Sequence, residues 1–378
     1  MSDRTTFDAI IIGGGIAGAG TARALAARGQ AVLLCESHPY LAAKASGNAR
    51  GLLMPYVATQ SSPPGRLYAR GFRYSRELLR SLEPTHPFYQ ECGALQLPAN
   101  KRLVRILQET AHFCDGIVAQ RITAEEASER AGIPIPSPCF YLPEAGYCDP
   151  RELTAALINT AKFPITVRCT TEVTALTATR NSWQVSLGTG EEITSDVVVL
   201  CGAYEVTRLT QTSWIPLEAI RGQTARSPAT SLSAQLSTII SFGGYITPAD
   251  DGSHFIGAHY RHDDMNETPT ESDTIEVLSR LYAALPSVSG FVPTSSRVCF
   301  RASTHDRLPY IGRIPLKSGP PLFINAGHGS RGLITAPMGG EILARIIHHE
   351  PLDDLAEAAT ITSAARIAKR IPLPTHSP

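Results

Sequence analysis

Gly13-Gly14-Gly15-Ile16-Ala17-Gly18 is a segment whose residue types can do chemistry, and that chemistry is the grip of a pyrophosphate. Its glycines stand at the GxGxxG spacing, where each has a steric task. Gly13 permits a sharp turn, Gly15 lets a phosphate approach the backbone, and Gly18 lets a helix press against a strand. The helix opening at Ile16 and Ala17 presents free N–H groups and partial positive charge to the phosphates. Glu36 follows Gly18 by 18 residues, where a carboxylate accepts hydrogen bonds from ribose hydroxyls and repels a 2′-phosphate. Ordinary turns also use triplets of glycine, so this reading requires Asp8–Ile12 to be a strand, and the pattern alone leaves NAD and FAD open.

A second glycine-rich segment, Gly327-His328-Gly329-Ser330-Arg331-Gly332-Leu333, lies near the other end of the chain. Glycines at a strand-to-helix junction let backbone N–H groups face a ligand, and the alternative is a plain connecting turn. Histidines 254, 259, 305 and 328 could serve as bases or ligands. His254 and His259, five apart on a strand, point to opposite faces and cannot share a metal, so no metal site is expected.

These groups need a scaffold, and the hydrophobic pattern supplies one. Asp8–Ile12 reads as a strand buried on both faces, Ile16–Arg28 as a helix closed by Gly29, and Gln30–Glu36 as a second strand, which together make one βαβ unit. Asp196–Cys201 is a further buried strand ending in a tight turn at Gly202. Leu322–Ala326, followed by a glycine loop and a helix from about Pro337 to Ile347, rebuilds the N-terminal geometry. Helices are predicted over Gly71–Leu82, Lys101–Phe113 and Glu152–Thr160, and strands over Ile165–Leu176, Ser182–Leu187, Thr238–Thr247 and His254–His259.

The chain has 378 residues, enough for more than one core. Segments 1–75, 146–212 and 299–350 are assigned to a discontinuous nucleotide-binding domain, 76–145 and 213–298 to a substrate domain, and 351–378 to a peripheral tail. Lys plus Arg and Asp plus Glu both number 34, so any nucleic-acid contact must come from a local patch; Arg66, Arg70, Arg73, Arg76 and Arg80 are candidates, or else a solvated helix face. The eight cysteines form no CxxC pair and read as reduced thiols of a cytoplasmic protein, with a Cys139–Cys148 bridge as the weaker alternative. The apolar run from Ala9 to Ala27 is broken by glycines and Arg23, which excludes a membrane segment.

Further motifs carry a resemblance. Ala45-Ser46-Gly47-Asn48-Ala49-Arg50-Gly51, Gly146-Tyr147-Cys148-Asp149-Pro150, Glu172-Val173-Thr174, Arg221-Gly222-Gln223 and the 327–333 loop with Thr335-Ala336-Pro337 resemble the D-amino-acid-oxidase-like flavoproteins. Within that family they resemble the FAD-dependent oxidoreductase half of the bifunctional enzymes that mature the wobble uridine of certain tRNAs. The resemblance implies an α/β Rossmann-type FAD-binding domain interleaved with an antiparallel-sheet substrate domain. It implies FAD as cofactor, with Ser46, Gly47, Asn48 and Gly51 under the flavin, the Val173 backbone at adenine, and Gly329 to Leu333 at the flavin edge. It also implies that Arg301 reaches a substrate carboxylate and Tyr245 points at the substrate, where the residues alone also allow a structural arginine and a half-buried sheet tyrosine. Amine oxidation by flavin needs a neutral amine and a well-placed C–H bond more than a dedicated base, so His328 is assigned to tuning the flavin.

The implied reaction oxidises a carboxymethylaminomethyl group on tRNA, which releases glyoxylate and leaves 5-aminomethyluridine. The alternatives are a free glycine, sarcosine or D-amino-acid oxidase, and a flavin-bearing RNA-binding scaffold. No methyltransferase region precedes Met1, so a stand-alone oxidase with a separate methyltransferase acting on its product is expected.

Overall fold

The computed structural model describes residues 6–58, 60–82, 88–108, 115–257 and 259–369. Strand β1 (Thr6–Ile12), helix α1 (Ile16–Ala26) and strand β2 (Val32–Cys35) form the βαβ unit that the sequence predicts. β1 alternates Ala9 and Ile11 into the helix-covered side and Ile10 into the other, and all three are fully buried, as a strand sandwiched on both faces must be. Then come β3 (Gly51–Leu53), α2 (Pro63–Ser81), β4 (Tyr89–Gln90), β5 (Ala94–Gln96), α3 (Lys101–Gln108), β6 (Gln120–Ile122), α4 (Ala124–Ala131), β7 (Cys139–Leu142), β8 (Gly146–Cys148) and α5 (Pro150–Asn159).

The second half runs through β9 (Ile165–Arg168), β10 (Val173–Ala178), β11 (Trp183–Leu187), β12 (Glu192–Leu200), β13 (Glu218–Pro228), β14 (Ile239–Ser241), β15 (Tyr245–Ile246), β16 (Ser253–Gly257) and α6 (Glu271–Ala284). It closes with β17 (Ser295–Ser303), β18 (Tyr310–Arg313), β19 (Leu322–Ala326), α7 (Gly332–Ile347) and α8 (Ala356–Thr362). Among the described residues no helix is long and apolar enough to cross a membrane.

One sheet has the order β10-β11-β12-β1-β2-β9, with β19 also on β12 and β18 on β19. β12 pairs in parallel with both β1 and β19, which brings the ends of β1 and β19 to the same rim of the sheet. Helices α1 and α7, which follow these two strands, cross backbone to backbone: a Cβ on Gly340 would lie 2.6 Å from the Gly20 carbonyl carbon. A second sheet, β17-β13-β16-β15-β14-β5-β7-β6, and a small third sheet, β3-β8-β4, complete the architecture. Arg221 is buried in β13 and ties the strand to α6 through Asp273. Burial raises the Asp273 pKa, but hydrogen bonds from Arg221, Thr270 and Arg261 outweigh it and hold this carboxyl far below its ordinary range.

Several predicted boundaries move. The helix expected from Gly71 begins at Pro63, where Ser62 caps it by accepting from Gly65 N–H. Ile165–Leu176 is two strands, because Thr170 turns the chain at φ 51° and sends β10 into an antiparallel pair with β11. Thr238–Thr247 is likewise a pair of short strands bent at Gly243, φ 93°. α7 starts at Gly332 and carries Pro337 inside it, so the proline does not mark its first turn. The domain boundary expected at 299 falls inside β17. Of the tail expected to be peripheral, Ala364 and Ile367 are fully buried against the first sheet. The end of the predicted Lys101–Phe113 helix and Cys114 lie outside the described residues. Cys139 and Cys148 are both free thiols.

Candidate functional site

The rim where β1 and β19 end opens onto a cavity of about 640 Å³, and Gly15 and Gly332 both line it. Gly13 turns at φ +110°, and a Cβ there would lie 2.7 Å from Gly202 N, so the two turns are pressed together. Gly18 does not line the cavity; a Cβ on it would fall 1.8 Å from Gly13 O, which makes it the residue that seats the helix on the turn. Gly15 caps α1 with no side-chain cap and no acid in the first turn, leaving its positive end for a ligand. Ile16 N–H donates to Ser46 Oγ at 3.1 Å, which brings the 45–51 loop against the phosphate cradle.

Glu36, at the end of β2, accepts from Gly14 N–H at 2.7 Å through Oε2 and from His38 N–H at 2.9 Å through Oε1. A carboxylate has about four lone-pair sites. Oε1 is also met by His38 Nδ1 at 2.6 Å and Ser37 Oγ at 3.3 Å, so the acceptor capacity left for a ribose is the second lone pair of the cavity-facing carboxylate's Oε2. Val173, at the start of β10, and Gly202 complete this nucleotide wall together with Ile16 and Ala17.

Ser46, Asn48 and Gly51 line the cavity, whereas Gly47 does not. A Cβ on Gly47 would meet Ala42 O at 2.4 Å and Arg297 Nη2 at 2.6 Å. Arg297, which sequence reasoning missed, donates to Asn48 Oδ1 at 2.8 Å, Ala43 O at 2.9 Å and Lys44 O at 2.6 Å, and so pins the loop.

The opposing glycine loop follows β19, with Gly327 at φ +80° and Gly329 at φ +54°. His328, Gly329, Ser330, Gly332 and Leu333 line the cavity, but Arg331 does not. Thr335 Oγ1 donates its one proton to Arg331 O at 3.0 Å, so His328 Nδ1 is the donor in its 2.8 Å contact with Thr335 Oγ1. His328 Nε2 is left as a buried acceptor without a protein partner. Protein encloses the ring except on its cavity side, and that burial pushes its pKa down to about 4.

The remaining wall comes from the second sheet. Arg297, Cys299 and Arg301 alternate along β17 and share one face, and Cys299 and Arg301 line the cavity. Arg301 Nη1 is buried with no protein partner, and its Cζ lies 4.7 Å from the centroid of the Tyr260 ring. Tyr245 donates to Arg50 O at 3.3 Å, and burial pushes its phenol up to about 12.

Glycines on neighbouring strands make room for both side chains. A Cβ on Gly222 would lie 2.4 Å from Arg301 Nη1, and one on Gly257 would lie 2.4 Å from Tyr245 Cε1. Glycines interrupting β13 and β16 were the signal that could have exposed this hollow. Tyr260, 48% exposed at the lip, carried no such signal.

His259, Asp273 and Glu276 gather within 4.8 Å, yet Arg221 and Arg261 already pair with these carboxylates. The arginines of α2 are engaged within the protein as well. Arg66 pairs with Glu357, Arg70 with Asp354, and Arg76 and Arg80 with Glu91, while Arg73 donates to Asp115 O. Each of these candidate arginines thus has a partner within the protein, and Arg66 and Arg80 keep exposed side chains as a solvated helix face does.

A glycine turn with an uncapped helix N-terminus, facing an unpartnered guanidinium across one cavity, suits a dinucleotide-dependent oxidoreductase. The residues fit FAD in particular, because two glycine-lined strand ends with uncapped helices meet one long cavity that also holds orphaned polar atoms of Arg301 and His328. Residues 8–346 match the family model "FAD dependent oxidoreductase" (DAO), and the chain belongs to that family. It is 33% identical over 91% of its length to the tRNA 5-methylaminomethyl-2-thiouridine biosynthesis bifunctional protein MnmC of Chromobacterium violaceum, of which the match covers 56%. The chain thus spans a little over half the length of the curated relatives that it matches. Among solved structures, the glycine oxidase of Bacillus cereus has a TM-score of 0.76 and 25% identity, covering 91% of this chain and 98% of that one. The iminodiacetate oxidase of Chelativorans sp. BNC1 also has a TM-score of 0.76 and 25% identity, over 91% of this chain and 96% of that one.

Proposed function

We propose that this enzyme oxidises the carboxymethylaminomethyl group on the wobble (2-thio)uridine of tRNA, removing the carboxymethyl unit as glyoxylate and leaving 5-aminomethyluridine. The observation that carries this reading is Arg301 Nη1, a buried cationic donor in the cavity wall with no protein partner. A buried charge of this kind calls for an anion, and a planar guanidinium fork suits a carboxylate. The proposed group, R–CH2–NH–CH2–COO−, is an N-substituted glycine, so a fork placed for an amino-acid carboxylate also holds it. The likeness to MnmC, named for tRNA 5-methylaminomethyl-2-thiouridine biosynthesis, supports the tRNA carrier.

Bound FAD supplies the acceptor for the hydride that leaves the carbon between nitrogen and carboxylate. Gly13 to Ala17, Glu36, Ser46, Asn48, Gly51, Val173, Gly202 and the backbone of Gly329, Ser330, Gly332 and Leu333 are the residues that would hold it. Arg301 fixes the carboxylate and thereby the direction of the adjacent C–H bonds, while the Tyr260 ring shields the ion pair from water. With a pKa near 4, His328 is too weak a base to take a proton from an ammonium ion at neutral pH, but its Nε2 accepts a hydrogen bond from the neutral amine. Tyr245 stays a neutral phenol at any working pH. Water adds to the C=N carbon of the oxidised substrate, and the C–N bond then breaks. The water oxygen leaves in the aldehyde of glyoxylate, and the nitrogen remains on the uridine as a primary amine open to methylation.

Purified protein incubated with undermodified tRNA and analysed by nucleoside mass spectrometry should convert carboxymethylaminomethyl-uridine to aminomethyl-uridine. An unchanged nucleoside overturns the proposal. A second reading, an oxidase of free glycine, sarcosine or a D-amino acid, draws support from the likeness to the glycine and iminodiacetate oxidases. Peroxide formed with small amines and none with tRNA would favour it.

A further inference from the structure

Arg331 belongs to the glycine-rich loop of the site, yet its side chain turns away from the cavity. Its Cζ lies 4.8 Å from the centroid of Tyr56 and 4.5 Å from that of Tyr68. A second guanidinium uses the same ring, with Arg102 Cζ 4.9 Å from the Tyr56 centroid. Arg102 spends its hydrogen bonds on a neutral acceptor, Val57 O, at 3.1 and 3.0 Å. Among the described residues no carboxylate pairs with either arginine, in contrast to Arg66, Arg70, Arg76 and Arg80 on α2.

Two cations gathered on one tyrosine repel each other, and cation–π attraction only partly offsets that cost. Burial disfavours the charged form of Arg331 most; Tyr68, Tyr56 and Tyr260 partly offset it, and the charge of Arg102 adds a smaller push in the same direction as burial. An anion bridging the two forks would remove the strain. Lys101, exposed beside Arg102 on α3, adds further positive charge.

The cluster stands next to the reaction cavity. Ser330 and Gly332, the chain neighbours of Arg331, both line it, and Ser330 Oγ donates to the Tyr260 hydroxyl at 3.3 Å. That same Tyr260 ring stacks on Arg301. A free amino acid held by Arg301 ends inside the cavity. A nucleotide whose side group enters the cavity leaves its base and phosphates at the lip, where guanidinium forks match phosphate oxygens and exposed rings stack on bases.

We propose that Arg331, Arg102 and Tyr56 form a phosphodiester-binding site for the RNA strand that carries the modified base. This inference rests on the tRNA reading above and names the groups that recognise its backbone.

The test uses FAD-loaded enzyme and an anticodon stem-loop RNA with an unmodified wobble uridine, whose binding is followed by fluorescence anisotropy across a salt series. Arg102→Gln should weaken binding several-fold and reduce the slope of log Kd against log salt by about 0.7, the release expected for one single-strand phosphate contact. Tyr56→Leu should weaken binding as well, and Arg180→Gln, on an exposed turn between β10 and β11, should change neither quantity. An unaltered flavin spectrum in each variant shows that the fold survived. Turnover adds a second readout, since Arg102→Gln should raise the KM for tRNA while leaving kcat at saturating tRNA close to wild type. Wild-type-like affinity and slope in both Arg102→Gln and Tyr56→Leu, or no binding of the stem-loop by wild type, overturn the inference. RNA binding that depends on these residues without any oxidation of tRNA upholds the site and refutes the proposed reaction instead.

Discussion

Replacing Arg301 by glutamine removes a charge that the folded protein holds without compensation, so activity and stability should move in different directions. Each charge-assisted hydrogen bond to a carboxylate is worth about 1.5–3 kcal/mol, and a two-pronged fork therefore about 3–6 kcal/mol. At about 1.4 kcal/mol per factor of ten, kcat/KM should fall by about 10²–10⁴-fold. The ground state behaves otherwise, because Arg301 Nη1 has no protein partner and its guanidinium lies over the Tyr260 ring beside Gly222. Losing an unpaired, partly desolvated cation costs the empty fold nothing, so the melting temperature should hold or rise. The assay pairs stopped-flow flavin reduction by the oxidisable amine with thermal unfolding of the same preparation. If melting temperature and kcat/KM fell together, Arg301 would be a structural arginine with a partner in solution; if kcat/KM stayed unchanged, the carboxylate clamp would lie elsewhere.

Gly18→Ala places a methyl group 1.8 Å from Gly13 O, a backbone collision that no rotamer relieves. It should cost about 3 kcal/mol or more and abolish flavin retention, read from the visible spectrum after gel filtration. His328 contributes a pH dependence with a definite sign. Its folded pKa of about 4 lies below the ordinary 6.5, so the unfolded chain binds the extra proton, and stability is full above 6.5 and lost as pH falls towards 4. A His328→Gln variant should flatten the urea midpoint across that window, and a variant that tracks wild type there would remove His328 as the cause.

The nucleotide wall was legible because its rules are local. Gly13, Gly15 and Gly18 answer steric demands set within one turn, and the buried alternation of β1 marks the strand before them. The substrate wall was legible only by resemblance. What shapes it is cross-strand register, and nothing near Arg301 in sequence announces that Gly222 on β13 clears space for its guanidinium. The arginines of α2 show the same limit from the other side, since their spacing suits an RNA-binding face while a partner such as Glu357 lies 291 residues from Arg66. Pro337 misled for a different reason. A proline usually opens a helix, but α7 carries Pro337 in its interior, where Gly20 of α1 leaves room for it: a Cβ on Gly20 would lie 3.1 Å from Pro337 Cα.

β17 behaves as a single rail with two fittings. Four residues apart on one face, Arg297 clasps the loop through Asn48, Ala43 and Lys44, while Arg301 stands in the opening where a reactant would dock. Sliding that rail by one residue would displace both fittings at once, so descendants or designs seeking larger reactants cannot lengthen the reach by shifting register without loosening their prosthetic group. Changes in preference are cheapest at residues hung beside the rail, such as Tyr260, which can be exchanged while the spacing between the two fittings stays as it is.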